Sequence, residues 1–203
     1  MKKIPLYALL ALIFLASCSQ PKPVKTIVNL KAAIKGETTA SAKYAAFAVK
    51  AKEEGNNNVA KLFEAASKSE SLHATNHNKA LTKLGEKMED FKPEFEVKTT
   101  AENLQVAIDG ESYEVSTMYP QFIVDAKFEK SEDAIKSFSW AFDTEKKHQG
   151  FFKTALEALN AGGEKSLQSQ WFICPVCGNT FNGATVTETC DFCLTKKDKF
   201  IVA

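Results

Sequence analysis

Residues 29–38 read NLKAAIKGET, and residues 103–112 read NLQVAIDGES. Six of these ten positions are identical at an offset of 74 residues, among them Glu37 and Glu111. Self-similarity of this kind indicates a duplicated supersecondary unit, so the sequence predicts two equivalent halves in the middle of the chain. Further along, the identities continue at an offset of 75 residues, at Tyr44/Tyr119, Phe47/Phe122, Phe63/Phe138, Glu70/Glu145 and His73/His148.

Each half is predicted to form two helices, because apolar residues recur at helical spacing in both. The four predicted helices cover about residues 26–54, 57–84, 99–130 and 131–161. Thr99 and Glu102 fit a capping box at the start of the third helix. A long connection containing Pro93 joins the two halves. Four long helices with one long crossover predict a mainly α, ferritin-like four-helix bundle.

The change of offset from 74 to 75 places one extra residue between Glu111 and Tyr119 in the second half. The pattern stays helical on both sides, and a helix absorbs a single inserted residue most easily as a π-bulge. We therefore predict a π-bulge near Glu114. The first half has only Thr39 or Ala40 at the equivalent place, so Glu114 is a further candidate ligand without a counterpart.

The pattern Glu-x-x-His occurs once in the second predicted helix and once in the fourth, and a further Glu precedes each copy by a similar distance. One Glu from each of two helices plus Glu-x-x-His from each of the other two is the ligand set of ferritin-like di-iron proteins. A single such motif is usually a solvated helix face, but its repetition at one offset argues against that alternative. The third histidine, His77, lies outside the pattern, and we expect it at the surface. The six candidate ligands are Glu37, Glu70, His73, Glu111, Glu145 and His148.

The last third of the sequence contains a second candidate metal site, formed by cysteines. They are spaced C-x2-C-x12-C-x2-C, at Cys174, Cys177, Cys190 and Cys193. Two disulfides are the alternative in an exported protein, but paired C-x2-C motifs favour a tetrahedral metal site. The segment from Trp171 onwards is too short for an independent apolar core, so a bound metal would staple it. We expect its small aromatic core to consist of Trp171, Phe172, Phe181, Phe192 and Phe200.

The N-terminus has the pattern of an export signal. Lys2 and Lys3 precede an apolar stretch, residues 4–15, that is too short to span a bilayer. Residues 15–18 read LASC, which looks like a bacterial lipobox with Cys18 as the lipid-carrying residue. A plain secretory signal with an incidental Cys is the alternative. The net charge of +1 does not support nucleic-acid binding.

Taken together, these motifs resemble the rubrerythrin family over about residues 26–203. The resemblance rests on Gly36-Glu37, the two Glu-x-x-His motifs, GESYE at residues 110–114, MYP at residues 118–120 and the four cysteines. It predicts four segments: a lipoprotein signal peptide (1–17), a tether (18–25), a ferritin-like di-iron bundle (26–165) and a rubredoxin-like domain of strands and loops (166–203). The second knuckle departs from the commoner form at Asp191 and Leu194, which affects the expected redox potential more than metal binding.

The resemblance also implies a role for each residue. Glu70 and Glu145 would bridge two irons, and Glu37 would be terminal on the first. Glu111 and His148 would bind the second iron. Glu114 and His73 would exchange on the first iron between the oxidised and reduced states. Tyr44 and Tyr119 would lie beside the cluster, either in a redox role or as ordinary core aromatic residues.

The function that the resemblance implies is reduction of hydrogen peroxide to water by the di-iron site, with electrons from one iron in the four-cysteine site. A structural zinc ribbon uses the same cysteine ligands. A ferroxidase or other iron-handling protein, an oxidase and a metal-based sensor are the alternative functions. The expected assembly is a head-to-tail homodimer, with donor and acceptor sites from different subunits and an electron donor of unknown identity. The expected location is the periplasmic side or cell envelope of a bacterium, with a lipid as the only membrane anchor.

Overall fold

The computed structural model describes residues 21–203, so the predicted signal and Cys18 lie outside the described residues. The bundle is built from α1 (Val24–Glu53), α2 (Asn57–Lys83), α3 (Thr100–Tyr113), α4 (Tyr119–Phe128) and α5 (Glu132–Asn160). The predicted third helix corresponds to α3 and α4, which a π-helix joins. The expected fold class is confirmed: four long helical segments, followed by a small region of strands that carries the cysteines.

The π-helix spans Glu114–Met118, where the change of repeat offset predicted it. Its backbone stays in the helical region at Glu114, with φ −63° and ψ −43°. The Tyr119 N–H donates to the Glu114 carbonyl five residues earlier, which is the hydrogen bond that defines a π-turn. The extra residue of the second half is therefore accommodated within the helix, and this prediction is confirmed.

Repeat-equivalent carboxylates cap two of the helices. Glu54, just after α1, accepts from the backbone N–H and the hydroxyl of Thr100 at 2.9 and 2.7 Å. Glu129, just after α4, accepts from the same two groups of Thr26, both at 2.7 Å. The predicted capping box of Thr99 and Glu102 is also present. Each contact links the two halves of the bundle, because the carboxylate that ends the first helix of one half caps the first helix of the other half.

Two apolar clusters fill the interior of the bundle. One surrounds the buried ring of Tyr44 and includes Phe63 and Phe152. The other surrounds the buried ring of Tyr119 and includes Phe138. The candidate carboxylates and imidazoles lie between them, since each tyrosine hydroxyl contacts one of those carboxylates. A charged layer is therefore enclosed between two apolar ones.

The C-terminal region forms a three-stranded antiparallel sheet in the order β2-β1-β3. The strands are β1 (Trp171–Ile173), β2 (Thr180–Asn182) and β3 (Ile201–Val202). Phe181 and Phe200 stack with ring centroids 5.4 Å apart, and Phe172 and Phe192 pack beside them. Trp171 was wrongly assigned to this small core. Its ring packs at 4.8 Å against Phe151 of α5, because β1 lies directly on the bundle.

The C-terminal region, from Trp171 onwards, docks on α2 and α5 of its own chain; we term it the cysteine module. Ser69 donates to the Gly178 carbonyl at 2.7 Å, and Asn76 donates to the Val176 carbonyl at 2.8 Å. Lys147 donates to the Asn179 side chain at 2.8 Å. Side chains of the bundle thus satisfy polar groups of the loop that carries the first two cysteines. These hydrogen bonds attach the module to the bundle.

None of the helices in residues 21–203 is both long and apolar enough to cross a membrane.

Candidate functional site

The six predicted ligands converge in the middle of the bundle, and each is at most 2% exposed. Their ligand atoms form two groups, with all atoms in a group within 4.8 Å of one another. Glu70 and Glu145 belong to both groups. The first group adds Glu37 and His73, and the second adds Glu111 and His148. The duplicated sequence therefore produces two half-sites that share a pair of carboxylates.

Both histidines turn their Nδ1 atoms into the site. His73 Nδ1 lies 2.9 Å from Glu70 and 2.8 Å from Glu145. His148 Nδ1 lies 3.0 Å from Glu70 and 2.9 Å from Glu145. Their Nε2 atoms point the other way, towards the cysteine module, where His148 Nε2 lies 2.9 Å from the Thr180 hydroxyl. A hydrogen bond from Nε2 to the Thr180 hydroxyl would fix the tautomer of His148 that leaves Nδ1 free to bind a metal.

Burial and mutual charge shift the pKa values in the site. Burial and the charges of Glu70 and Glu145 raise the pKa of Glu37 well above its usual range. Burial and the same two carboxylates also raise the pKa of Glu111. Burial by itself would lower the pKa values of His73 and His148, but Glu70 and Glu145 hold both well above the usual value. Excess negative charge in the site is therefore compensated by bound protons unless a cation replaces them.

Several buried polar atoms in the site have no hydrogen-bond partner among the described residues and are suited to bind a metal. Within residues 21–203, buried atoms without a hydrogen-bond partner are concentrated in these six side chains. Carboxylate oxygens and imidazole nitrogens are suitable ligands for iron, and buried charges normally pair or bind metals. The donor set therefore fits two cations bridged by carboxylates. The unpartnered atoms that face the site are Glu37 Oε2, Glu70 Oε1, Glu111 Oε2, both carboxylate oxygens of Glu145, and His148 Nδ1, whose close approaches to Glu70 and Glu145 are not hydrogen bonds. His73 Nε2, on the side of the cysteine module, is also unpartnered.

The two repeat-equivalent tyrosines donate to the two terminal carboxylates in a crossed arrangement. Tyr44 of the first half donates to Glu111 of the second at 2.7 Å. Tyr119 of the second half donates to Glu37 of the first. Both rings are at most 2% exposed. The sequence placed these tyrosines beside the cluster, and each one orients a carboxylate from the other half.

Glu114 lies close to the site but outside both groups. It is partly exposed, whereas the six grouped ligands are buried. Burial and the charges of Glu37 and Glu145 raise the pKa of Glu114 well above its usual range. In this structure His73 belongs to the first group and Glu114 to neither, and the exchange of these two ligands stays a prediction.

The prediction that His77 is at the surface is wrong. His77 is fully buried, 3.0 Å from the Tyr119 hydroxyl through Nε2 and 2.6 Å from the Ser137 hydroxyl through Nδ1. The repeat contained a signal for this, because the offset of 75 places His77 opposite Phe152, a core residue. A position with an apolar counterpart in the other half is a buried one.

The four cysteines of the module form a second compact group. The Sγ atoms of Cys174 and Cys193 are 3.4 Å apart, as are those of Cys177 and Cys190. These distances are far longer than the ~2.05 Å of a disulfide, and all four are free thiols. A tetrahedral metal centre with bonds of ~2.3 Å fits such a group.

The module places its first knuckle against both site histidines. A Cβ atom added to Gly178 would lie 2.4 Å from His73 Nε2, so only glycine allows this approach. Thr180, two residues further on, contacts His148. We expected a partner subunit's module at this position. In this structure the module of the same chain lies there, and the pairing of donor and acceptor sites from different subunits stays a prediction. The homodimer itself stays a prediction.

Residues 28–156 match the family model described as Rubrerythrin, which is more than half of the chain. The chain belongs to the rubrerythrin family. It is 32% identical to Rubrerythrin-2 of Clostridium acetobutylicum over 88% of this chain and 97% of that protein. It is 34% identical to nigerythrin of Nitratidesulfovibrio vulgaris over 86% of this chain and 85% of that one. A solved structure of nigerythrin in a fully reduced, all-ferrous state superposes with a TM-score of 0.78 at 33% identity, covering 88% of this chain and 86% of that chain.

The rubrerythrin family assignment agrees with the two groups of side chains. The carboxylate and histidine group is a di-iron site, and the four-cysteine group is consistent with one iron in a rubredoxin-like site. Residues 1–19 also match the model of a prokaryotic membrane lipoprotein lipid attachment site. That match includes Cys18, and it supports membrane anchoring through a lipid.

Proposed function

We propose that this rubrerythrin-family protein is a non-haem di-iron peroxidase that reduces hydrogen peroxide to water. Electrons reach the di-iron site from the rubredoxin-like iron of the same chain. The observation that carries this proposal is the direct contact of the cysteine knuckle with both site histidines, at Gly178 and Thr180. An iron-storage or ferroxidase protein has no need for such a module.

The ligand roles follow from the two groups of side chains. Glu70 and Glu145 bridge the irons, and the membership of both residues in both groups supports this role. Glu37 is terminal on the first iron, and Glu111 and His148 bind the second. Cys174, Cys177, Cys190 and Cys193 bind the rubredoxin-like iron. When bound, the two bundle irons supply the two electrons that reduce one hydrogen peroxide.

Glu114 and His73 would hold the first iron in turn. The anionic carboxylate suits the more highly charged oxidised state, and the neutral imidazole suits the reduced state. Support for this exchange comes from their unequal positions, with His73 inside the first group and Glu114 outside it. The π-helix has no buried residue and Glu114 is partly exposed, so peroxide reaches the site most directly on this side.

Cys18 carries the lipid and holds the protein on the outer side of a bacterial membrane, in the periplasm or cell envelope. The lipid-attachment match over residues 1–19 supports this location. Unmetallated thiols outside the cytoplasm tend to form disulfides. The protein therefore works in reducing, oxygen-poor surroundings, where Cys174 and its three partners stay bound to iron.

The test is oxidation of the fully reduced mature chain with hydrogen peroxide, without oxygen, followed by visible absorption. We expect fast return of ferric–thiolate colour once about one peroxide per two bundle irons has been added. A Cys174→Ser variant should still consume peroxide in one turnover but lack the colour. Slow reaction with peroxide and fast reaction with oxygen would instead show a ferroxidase or oxidase. A colourless wild-type protein would mean zinc in the cysteine site and would refute the electron route.

A further inference from the structure

A buried chain of hydrogen bonds leads away from one side of the di-iron site. Glu37 accepts from the Tyr119 hydroxyl. The same hydroxyl lies 3.0 Å from His77 Nε2, and His77 Nδ1 lies 2.6 Å from the Ser137 hydroxyl. These hydrogen bonds therefore connect side chains of α1, α4, α2 and α5, in that order. The series begins at a predicted ligand of the first iron and ends at a serine.

Counting the hydrogen-bond donors and acceptors shows in which direction the protons are donated along this series of hydrogen bonds. A phenol has one proton to donate, and Tyr119 gives it to Glu37. Tyr119 must then accept from His77, so Nε2 carries the imidazole proton. A neutral imidazole accepts at its other nitrogen, so Ser137 donates to His77 Nδ1. Every proton in the chain points towards Glu37.

Burial keeps His77 neutral within this chain. His77 and Tyr119 are 0% exposed, while Ser137 is 5% exposed and forms the outer end. A fully buried position disfavours the charged form of the imidazole. With a neutral ring, the two contacts fix the bond directions: His77 donates through Nε2 to Tyr119 and accepts at Nδ1 from Ser137.

The other half of the bundle has no equivalent series of hydrogen bonds. Tyr44 donates to Glu111 as Tyr119 donates to Glu37. The repeat equivalents of His77 and Ser137 are, however, Phe152 and Leu62, neither of which can carry a proton. Phe152 packs against Tyr44 with ring centroids 5.3 Å apart. The proton-carrying side chains therefore serve only the half-site that contains Glu37 and has Glu114 beside it.

We propose that Ser137, His77 and Tyr119 form a proton relay that delivers protons to the Glu37 side of the site during turnover. This inference rests on the proposed function. Reduction of one hydrogen peroxide to two waters takes up two electrons and two protons, and the relay supplies a proton. As Tyr119 gives its proton towards Glu37, it receives the Nε2 proton of His77. His77 takes the Ser137 proton at Nδ1, and Ser137 is reprotonated from solvent, so the ring changes tautomer and stays neutral.

The test compares His77→Gln, His77→Phe and the control Phe152→Leu by single-turnover oxidation with peroxide. A glutamine amide can donate to Tyr119 and accept from Ser137, but it cannot exchange tautomers as an imidazole does. His77→Phe copies the packing of the other half, so it should fold. Both His77 variants should react about a hundredfold more slowly, which is the low end of the usual contribution of a positioned proton donor. Their iron content and ferric spectrum should match those of wild type, and Phe152→Leu should react at the wild-type rate.

Three outcomes would overturn the relay. Wild-type rates in both His77 variants would show that no proton passes this way. A wild-type rate in His77→Gln alone would reduce the role of His77 to holding Tyr119 in place. Equal slowing in Phe152→Leu would assign the effect to packing. A wild-type chain that does not react with peroxide would refute the proposed function itself, a result separate from all three.

A second measurement does not depend on activity. Nitrogen NMR of the full mature chain loaded with diamagnetic Zn²⁺ reports the tautomer of each imidazole, and the His77→Gln spectrum identifies the signals of His77. We expect a neutral His77 with the proton on Nε2 and a hydrogen bond accepted at Nδ1. A proton on Nδ1 alone, or a charged imidazolium, would overturn the proposal.

Discussion

Gly178 controls how closely the cysteine module approaches His73, and its replacement gives the sharpest test of the electron route. A Cβ at this position would lie 2.4 Å from His73 Nε2 and 2.5 Å from its Cδ2. Comfortable contact needs ~3.5 Å, so Gly178→Ala must move the module by about 1 Å. The φ angle of +84° adds strain for alanine, worth ~1–2 kcal/mol in the left-handed region.

A shift of this size stretches the Ser69–Gly178 bond of 2.7 Å and the His148–Thr180 bond of 2.9 Å beyond hydrogen-bond range. Each is worth ~1 kcal/mol, so docking weakens by ~2 kcal/mol. At ~1.4 kcal/mol per factor of ten, the equilibrium constant for docking falls about 30-fold. We expect the ferric–thiolate colour to appear about 30-fold more slowly after peroxide is added, if docking limits electron transfer.

Two further variants separate the causes. Gly178→Asn keeps the clash but relieves most of the backbone strain, since asparagine tolerates positive φ, and it should slow the colour change as much as Gly178→Ala. Gly183→Ala is the matched control in the same module, because its Cβ would meet nothing closer than 3.6 Å. Electron transfer at the wild-type rate in Gly178→Asn would refute the idea that electrons pass from the module to the di-iron site at the contact between Gly178 and His73.

Three other predictions follow from the same structure. Co-expression of a Glu70→Ala chain with a Cys174→Ser chain should give no rapid ferric–thiolate colour with peroxide, because each module serves its own bundle; restored colour would show transfer between subunits. Binding of Zn²⁺ to the metal-free site should release protons into a weakly buffered dye solution, because the pKa values of Glu37 and Glu111 are raised by burial and neighbouring carboxylates, which favours their protonated forms when no metal is bound; no acidification would contradict the charge argument. Glu129→Ala should lower the free energy of unfolding in urea by ~1 kcal/mol at pH 7 through the lost cap on α1. The pKa of Glu129 is held below 4.5 despite its partial burial, so this difference is present above pH 4.5 and disappears as the pH falls through the folded-state pKa; a difference that persists in acid would argue against the cap.

The repeat made much of the bundle and its site predictable from the sequence. An offset of 74 that becomes 75 located the π-helix at Glu114, because one extra residue has few ways to fit inside a helix. The spacing of Glu70 and His73, copied at Glu145 and His148, predicted one converging set of side chains. Helical periodicity fixes which residues share a face, so the repeat largely specified which side chains could converge.

The sequence could not predict how the module packs. Trp171 looked like a core residue of the module, but it contacts Phe151 of α5. The approach of Gly178 to His73 depends on the direction of the chain after α5, which no local pattern specifies. His77 was misjudged for a different reason, because a polar residue in an apolar position is visible only when the two halves are compared. Contacts between separate elements depend on tertiary geometry, which propensity and spacing do not encode.

The departures from internal symmetry explain how two equivalent half-sites could take different roles. The π-helix adds Glu114 beside Glu37, and His77 adds a polar chain behind Tyr119, so both additions fall on the same half-site. The other half-site keeps an apolar ring, Phe152, behind Tyr44. In the proposed function, exchange of Glu114 for His73 would change the charge at the first iron, and a nearby source of protons would compensate for that change. Because both features lie on one side, we expect ligand exchange and proton delivery to be coupled there. The double variant Glu114→Gln/His77→Gln should therefore react with peroxide little more slowly than the slower single variant. Multiplied effects, as expected of independent sites, would show that the two features act separately.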